Sequence, residues 1–107
     1  MKLYSIPDFQ GSNAAVPVSQ VIDHFATPLP SDRRVAMLCF REVSGGTNSS
    51  RVGDSTVNGT TGIPLSSSDS LVLPSVGSSP SECFYSLDEI FIYAPPTDTI
   101  SITYGWW

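Results

Sequence analysis

The apolar positions of the chain fall into short segments of strand length, separated by clusters of Gly, Pro, Ser and Asn. The strongest segment, residues 34–43, is continuously apolar from Val35 to Phe40 and is followed by a Ser-Gly-Gly-Thr-Asn sequence, which predicts a central strand. Apolar and β-branched residues recur in shorter stretches along the rest of the chain. Further strands are predicted at residues 51–57, 62–65, 70–74, 88–93 and 99–104.

Turn-forming residues mark the breaks between these strands. Gly53 inside the second strand indicates a bulge or a close backbone approach, and Asn58-Gly59 predicts a tight turn. Residues 66–69 predict another turn, and residues 75–81 predict a loop.

The last two segments lie close enough in sequence to predict a β-hairpin. Residues 88–93 and 99–104 are joined by an Ala-Pro-Pro-Thr-Asp sequence, and Ile100 and Ile102 alternate with hydroxyl residues. Many short strands at short intervals predict an all-β chain, folded as a single-domain antiparallel β-sandwich or jelly-roll-like barrel.

The first thirty residues lack this pattern because four prolines interrupt them. They predict an extended N-terminal arm over residues 1–30, followed by the β-sandwich domain over residues 31–107. A helical turn is predicted at residues 19–25, with Ser19 as its N-cap. The candidate residues by which the arm would dock on the body or on a partner chain are Val16, Val18 and Val21.

Composition points to a surface made for protein contact. Ser and Thr supply roughly a quarter of the chain, whereas charged residues make up 14%. Such a surface is inexpensive to desolvate, because a hydroxyl exchanges water for a backbone partner without stranding a charge. The net charge of -5 argues against a nucleic-acid partner, and no apolar run is long enough to span a membrane. No export signal is recognised at the N-terminus, so the protein is expected to be made in the host cytoplasm.

Metal and cofactor binding are not expected. Cys39, Cys83 and His24 are the chain's only cysteines and histidine, and they show no zinc-site spacing. Both thiols are expected to stay reduced, since an intracellularly assembled protein meets a reducing pool. No nucleotide-binding glycine loop or calcium loop occurs in the sequence.

Catalysis is not expected either. Asp23-His24 is the most tempting pair, but adjacent residues on an extended chain point to opposite faces, and no serine lies in a nucleophile-elbow sequence. Asp54 follows Gly53 and is read as a carboxylate that accepts backbone N–H bonds in a turn, rather than as a metal or sugar ligand.

Three aromatic residues near the end of the sequence admit two interpretations. Tyr104, Trp106 and Trp107 are costly to leave in water, so something is expected to cover them. They either pack on the chain's own sandwich or include an interface anchor, as Trp often is at contact sites.

The second half of the chain resembles small virion proteins of tailed bacteriophages, in particular capsid decoration (cement) proteins. The resemblance rests on the spacing of five short segments and covers no active-site motif. It implies a β-sandwich module that sits as a homotrimer on the capsid and contacts neighbouring subunits of the major capsid protein. The segments that carry it are residues 51–54, 62–65, 71–73, 87–94 and 100–104.

Three functions are therefore open at the level of sequence. The first is a non-enzymatic virion protein on the capsid surface, which stabilises the assembled shell by bridging its subunits. The second is a tail or fibre module that binds host-surface glycan through Tyr93, Tyr104, Trp106 and Trp107. The third is a connector present in few copies, such as a head–tail adaptor.

Overall fold

Ten strands and one short helix are found in the part of the chain that the computed structural model describes, which is residues 1–45, 49–65, 70–74, 79 and 82–107. In chain order they are β1 (Lys2–Gln10), β2 (Ala15–Pro17), α1 (Val18–His24), β3 (Arg34–Val35), β4 (Met37–Ser44), β5 (Arg51–Gly53), β6 (Ile63–Pro64), β7 (Ser70–Leu73), β8 (Tyr85–Ser86), β9 (Phe91–Tyr93) and β10 (Thr99–Trp106).

The strands form two four-stranded sheets and one short pair. The first sheet has the order β1-β10-β4-β7, and the second has the order β2-β9-β5-β6. Strands β3 and β8 pair separately, and every pairing in the described residues is antiparallel. Because the buried residues of both sheets belong to one core, the prediction of an antiparallel all-β sandwich in a single domain is confirmed.

The core forms where strand alternation turns apolar side chains inward. Ile6, Ile102, Phe40 and Leu71 lie side by side across the first sheet, and the first three are at most 1% exposed. Val52 and Ile92 face them from the second sheet's central pair of strands. Such burial is worth roughly 1.5–3 kcal/mol for each large apolar side chain, and it holds the two sheets together.

The predicted N-terminal arm is wrong. Residues 2–10 form β1, which pairs with β10 along the edge of the first sheet, and Ile6 and Phe9 are buried in the core. The boundary between residues 1–30 and 31–107 therefore does not divide the fold. The register shifts between Ile6 and Phe9, so Pro7 and Asp8 bulge out of the pairing and interrupt the two-residue alternation that identifies a strand.

The predicted hairpin at residues 88–104 is also wrong. Strand β9 lies in the second sheet between β2 and β5, whereas β10 lies in the first sheet between β1 and β4. The intervening residues turn through a bond from the Asp98 N–H to the Pro95 carbonyl, 3.0 Å long, and carry the chain from one sheet to the other. They form a corner of the sandwich rather than a hairpin loop.

The predicted helical turn exists, but its cap differs from the expectation. Helix α1 has Pro17 at the N-cap position and no side-chain cap. The Ser19 hydroxyl instead donates to Asp88 Oδ1 at 2.6 Å, and the Arg33 guanidinium donates to the same oxygen at 3.1 Å. These two donors hold the pKa of Asp88 below its usual value and tie the helix to the turn before β9.

The other strand predictions are met to different degrees. The central segment at 34–43 is interrupted at Ala36, and its main part, β4, is one of the two inner strands of the first sheet. The strand at 51–57 ends at Gly53, after which Asp54 begins a turn. The turn predicted at 66–69 and most of the loop predicted at 75–81 lie outside the described residues.

Candidate interaction surface

The first sheet presents a broad face on the side opposite the core. Residues that alternate with the buried rows lie next to each other across its four strands, so that Ser5, Thr103, Cys39 and Val72 form one continuous row. Val72 is 51% exposed, and Ser5 is also exposed. This side of the sheet, called the outer face below, comprises Leu3, Ser5, Met37, Cys39, Arg41, Ser70, Val72, Ser101, Thr103 and Gly105.

The outer face combines apolar and hydroxyl side chains with a single charged residue. Leu3, at 57% exposure, lies beside Gly105 and Met37 at one end, and Arg41 lies between Ser101 and Ser70 at the other. A Cβ atom at Gly105 would lie 2.7 Å from Leu3 Cδ2, so the glycine allows Leu3 to fold over the sheet. Among the residues that define this face, only Arg41 carries a charge that a covering protein would desolvate.

The outer face is small compared with a stable protein interface. Four strands about 4.8 Å apart and three rows about 7 Å apart give a face of roughly 400 Å². A standard interface removes about 800 Å² from each partner. Contact through this face alone therefore predicts a weak individual site, whose strength would come from repetition.

Three of the six candidate interface residues belong to the core. Val18 and Tyr104 are fully buried and Val21 is 3% exposed, so none of them is available to a partner of the folded chain. Val18 and Val21 lie on one face of α1, and Tyr104 lies on one face of β10. The core of the chain itself covers both faces. Val16 is partly buried and packs against the same core.

Tyr104 is fixed on the inner side of the first sheet. Its hydroxyl donates to the Pro28 carbonyl at 2.6 Å, and burial raises the pKa of the phenol to about 12. Both interior space and a hydrogen-bond partner are thus provided within one chain. Of the two interpretations open for the aromatic residues, Tyr104 therefore follows the first, because it packs on the chain's own sandwich.

The two tryptophans remain partly exposed, as the interface interpretation requires. The Trp106 ring stacks on Tyr4 with a centroid distance of 5.1 Å, and it lies nearly parallel to Tyr104 at 6.1 Å. Trp106 therefore packs on the chain's own sandwich and still keeps an accessible part, and Trp107 is also partly exposed.

Sequence reasoning missed most of the outer face. In β10 the hydroxyl residues at 101 and 103 were visible as the side away from the isoleucines, which was a usable signal. In β4 the signal was absent, because Met37 and Cys39 are as apolar as their buried neighbours. The Leu3 position could not be found while β1 was taken for an arm.

The Asp23-His24 pair singled out in the sequence lies apart from the outer face. Asp23 and His24 end helix α1, are exposed, and line a groove of about 410 Å³ together with Phe9 and Phe25. Within the described residues, no cluster of three metal-ligating side chains is found. Cys39 and Cys83 are both free thiols.

Asp54 has the turn role that its position after glycine predicts. It accepts the Thr56 N–H at 2.8 Å and the Thr56 hydroxyl, and these bonds hold the pKa of the carboxyl below its usual value. Its lone pairs are thus used to close the turn after β5.

No protein family, curated protein or solved structure matches the chain. Among the described residues, no helix has the length and apolar character needed to cross a bilayer.

Proposed function

We propose that this chain is a structural virion protein that binds the outer surface of an assembled phage capsid and stabilises the shell by bridging neighbouring capsid subunits. The observation that supports the proposal best is the outer face, an open side of a four-stranded sheet with apolar and hydroxyl side chains and one charge. A non-enzymatic protein that works by contact needs such a surface.

The estimated size of the outer face fits this role. A site of about half the standard interface area binds weakly as a single copy. On a capsid the same site repeats over the whole lattice, and a protein that bridges two subunits engages the second at high effective concentration. Many weak contacts together are then sufficient to stabilise the shell, and each is too weak to disturb shell assembly.

A matched pair of substitutions tests the use of the outer face. Val72 on edge strand β7 is 51% exposed, and Ile63 on edge strand β6 of the other sheet is 52% exposed. We expect Val72→Glu to reduce occupancy on particles assembled without the protein at least tenfold, because it places a charge in the contact. Ile63→Glu is the control and is expected to leave occupancy unchanged.

Binding would be measured by co-sedimentation with purified shells, after thermal melting has shown that both variants are folded. Equal occupancy for the two variants would remove the outer face from the proposal. Particles without the protein are expected to assemble at normal size and to lose their genome at a lower temperature, and normal heat resistance would contradict the stabilising role.

The oligomeric state and copy number belong to the same proposal. A homotrimer is expected to show three times the chain mass of 11.5 kDa in light scattering after size exclusion. Many copies per virion are expected from quantitative gel analysis of purified particles. A few copies would instead favour a tail module or a connector.

A further inference from the structure

The two tryptophans lie between two clefts at one end of the sandwich. One cleft has a volume of about 390 Å³ and is lined by Met1, Lys2 and both indoles. The other has a volume of about 220 Å³ and is lined by both indoles and by a mixed set of side chains, namely Pro30, Ser31, Asp32, Arg34 and Cys83. The larger cleft falls within the size range of about 300–1,000 Å³ that is typical of small-ligand sites, and the smaller cleft, which holds Asp32 and Arg34, adjoins it at the indoles and lies below that range.

The turn that carries the polar side chains is held in place. The Arg33 N–H bonds the Pro30 carbonyl at 2.9 Å, and the Arg34 N–H bonds Asp32 Oδ1 at 3.2 Å. The Arg33 side chain is anchored on Asp88, so it is Arg34 that lines the cleft. A carboxylate acceptor on the turn and a guanidinium donor on the first residue of β3 therefore lie beside the indoles.

One of the two indoles, that of Trp106, is also held in place. Trp106 is one member of a stack with Tyr4 and Tyr104, and Tyr104 is itself fully buried. A ring held in this way loses little conformational freedom when a ligand covers its exposed part.

This combination matches the chemistry of a sugar. A pyranose ring has apolar C–H patches that pack on an aromatic face, and hydroxyl groups on its edge that both donate and accept hydrogen bonds. Asp32 supplies acceptors, and Arg34 and Lys2 supply donors. A proline-rich peptide also packs on aromatic residues, but it offers few side-chain hydroxyls to such a pair.

We propose that the clefts around Trp106 and Trp107 bind a saccharide, with a pyranose ring on an indole and its hydroxyls on Asp32 and Arg34. The site does not depend on attachment to a capsid, because none of these four residues belongs to the outer face. It would give the protein a second function, the binding of glycan.

Intrinsic fluorescence offers a direct test, because the chain has two tryptophans and both line the clefts. The full-length protein would be screened on an array of neutral and acidic oligosaccharides, and array hits would be titrated in solution while tryptophan emission and calorimetric heat are recorded. At least one oligosaccharide is expected to bind and to shift the emission. No binding at millimolar concentration to any member of the array would overturn the proposal.

Two variants with matched controls locate the site. Trp107→Ala and Arg34→Ala are each expected to weaken binding at least tenfold. Phe25→Ala, an exposed aromatic in a different groove, and Arg41→Ala, an exposed arginine on the outer face, are expected to leave it unchanged.

Thermal melting of each variant separates a lost site from a lost fold, and Arg34→Ala changes only an exposed side chain. If folded Trp107→Ala and folded Arg34→Ala both bind the oligosaccharide like the unsubstituted protein, the clefts are not the site. Displacement of the sugar by a proline-rich peptide at equal concentration would also count against a saccharide as the ligand.

Discussion

Replacing Ile6 by Ala is expected to lower the free energy of unfolding by about 2–5 kcal/mol, the usual range for truncating a fully buried aliphatic side chain. Ile6 is 1% exposed and lies opposite Ile102 in the first sheet. Loss of three carbons removes about 2.4 kcal/mol of transfer free energy at about 0.8 kcal/mol each. The cavity left between the two sheets adds the remainder.

The same strand supplies the control. Leu3 is as apolar as Ile6 but is 57% exposed, so Leu3→Ala is expected to change stability by no more than about 0.5 kcal/mol. The contrast arises because β1 turns Ile6 toward the core and Leu3 toward the outer face. A detached N-terminal arm would make both substitutions nearly neutral.

Urea denaturation followed by tryptophan fluorescence would measure the difference. With a slope of about 1–3 kcal/mol per molar urea, the midpoint for Ile6→Ala is expected to fall by about 0.7 M or more. A domain of this size has a free energy of unfolding of roughly 5–15 kcal/mol. If the value for this protein is about 15 kcal/mol, the variant stays well folded and its transition is measurable; if it is about 5 kcal/mol, the variant is only marginally folded. Equal midpoints for Ile6→Ala and Leu3→Ala would refute the placement of β1 in the sheet.

Three further predictions concern residues that make contacts between separate segments of the fold, namely Tyr104, Asp88 and Gly11. Because the pKa of Tyr104 is raised to about 12, the stabilisation that the neutral phenol gives the fold is complete below pH 10 and is lost as the pH rises toward 12. Tyr104→Phe should lower the free energy of unfolding by about 0.5–1.5 kcal/mol at neutral pH and reduce the loss of stability at alkaline pH, as measured by melting at different pH values. Because the pKa of Asp88 is lowered in the folded protein, its ionised carboxylate stabilises the fold at pH values above the usual carboxyl pKa, and this stabilisation is lost in acid. Asp88→Asn should therefore melt below the unsubstituted protein at pH 7, and the two should converge as the carboxyl protonates; a constant difference would contradict this. Gly11→Ala should lower the melting temperature by several degrees, because the new Cβ would lie 2.2 Å from the Ala94 carbonyl oxygen, whereas the exposed Ser12→Ala should not; equal melting would contradict the close approach.

The elements that could be predicted from sequence are those whose pattern is local. Strand β4 has a long apolar run, β7 has a short one, and β10 has strict alternation, so each was found. Strand β1 was missed because Pro7 and Asp8 place its two core residues three positions apart. The link from β9 to β10 was misread because a short proline-containing connection fits a hairpin as well as a corner between sheets.

The candidate site was only partly predictable, for a related reason. Sequence period shows that Val18 and Val21 share one face of a helix, but it does not show what covers that face. The chain's own core covers it. The outer face, in contrast, joins residues from both ends and the middle of the sequence, and it exists only once β1, β10, β4 and β7 are aligned.

The pairing of β1 with β10 has a consequence for how the protein folds during synthesis. Lys2 pairs with Trp106 and Gln10 with Thr99, so the first strand waits for partners made roughly 90–100 residues later. At translation rates of about 5–20 residues per second, that interval lasts on the order of 5–20 s. The apolar inner strand β4 also lacks its β10 neighbour during this time. A nascent chain of this kind is expected to complete its first sheet only after β10 has left the ribosome. Until then the apolar residues of β1 and β4 are exposed, and chaperones are expected to bind them.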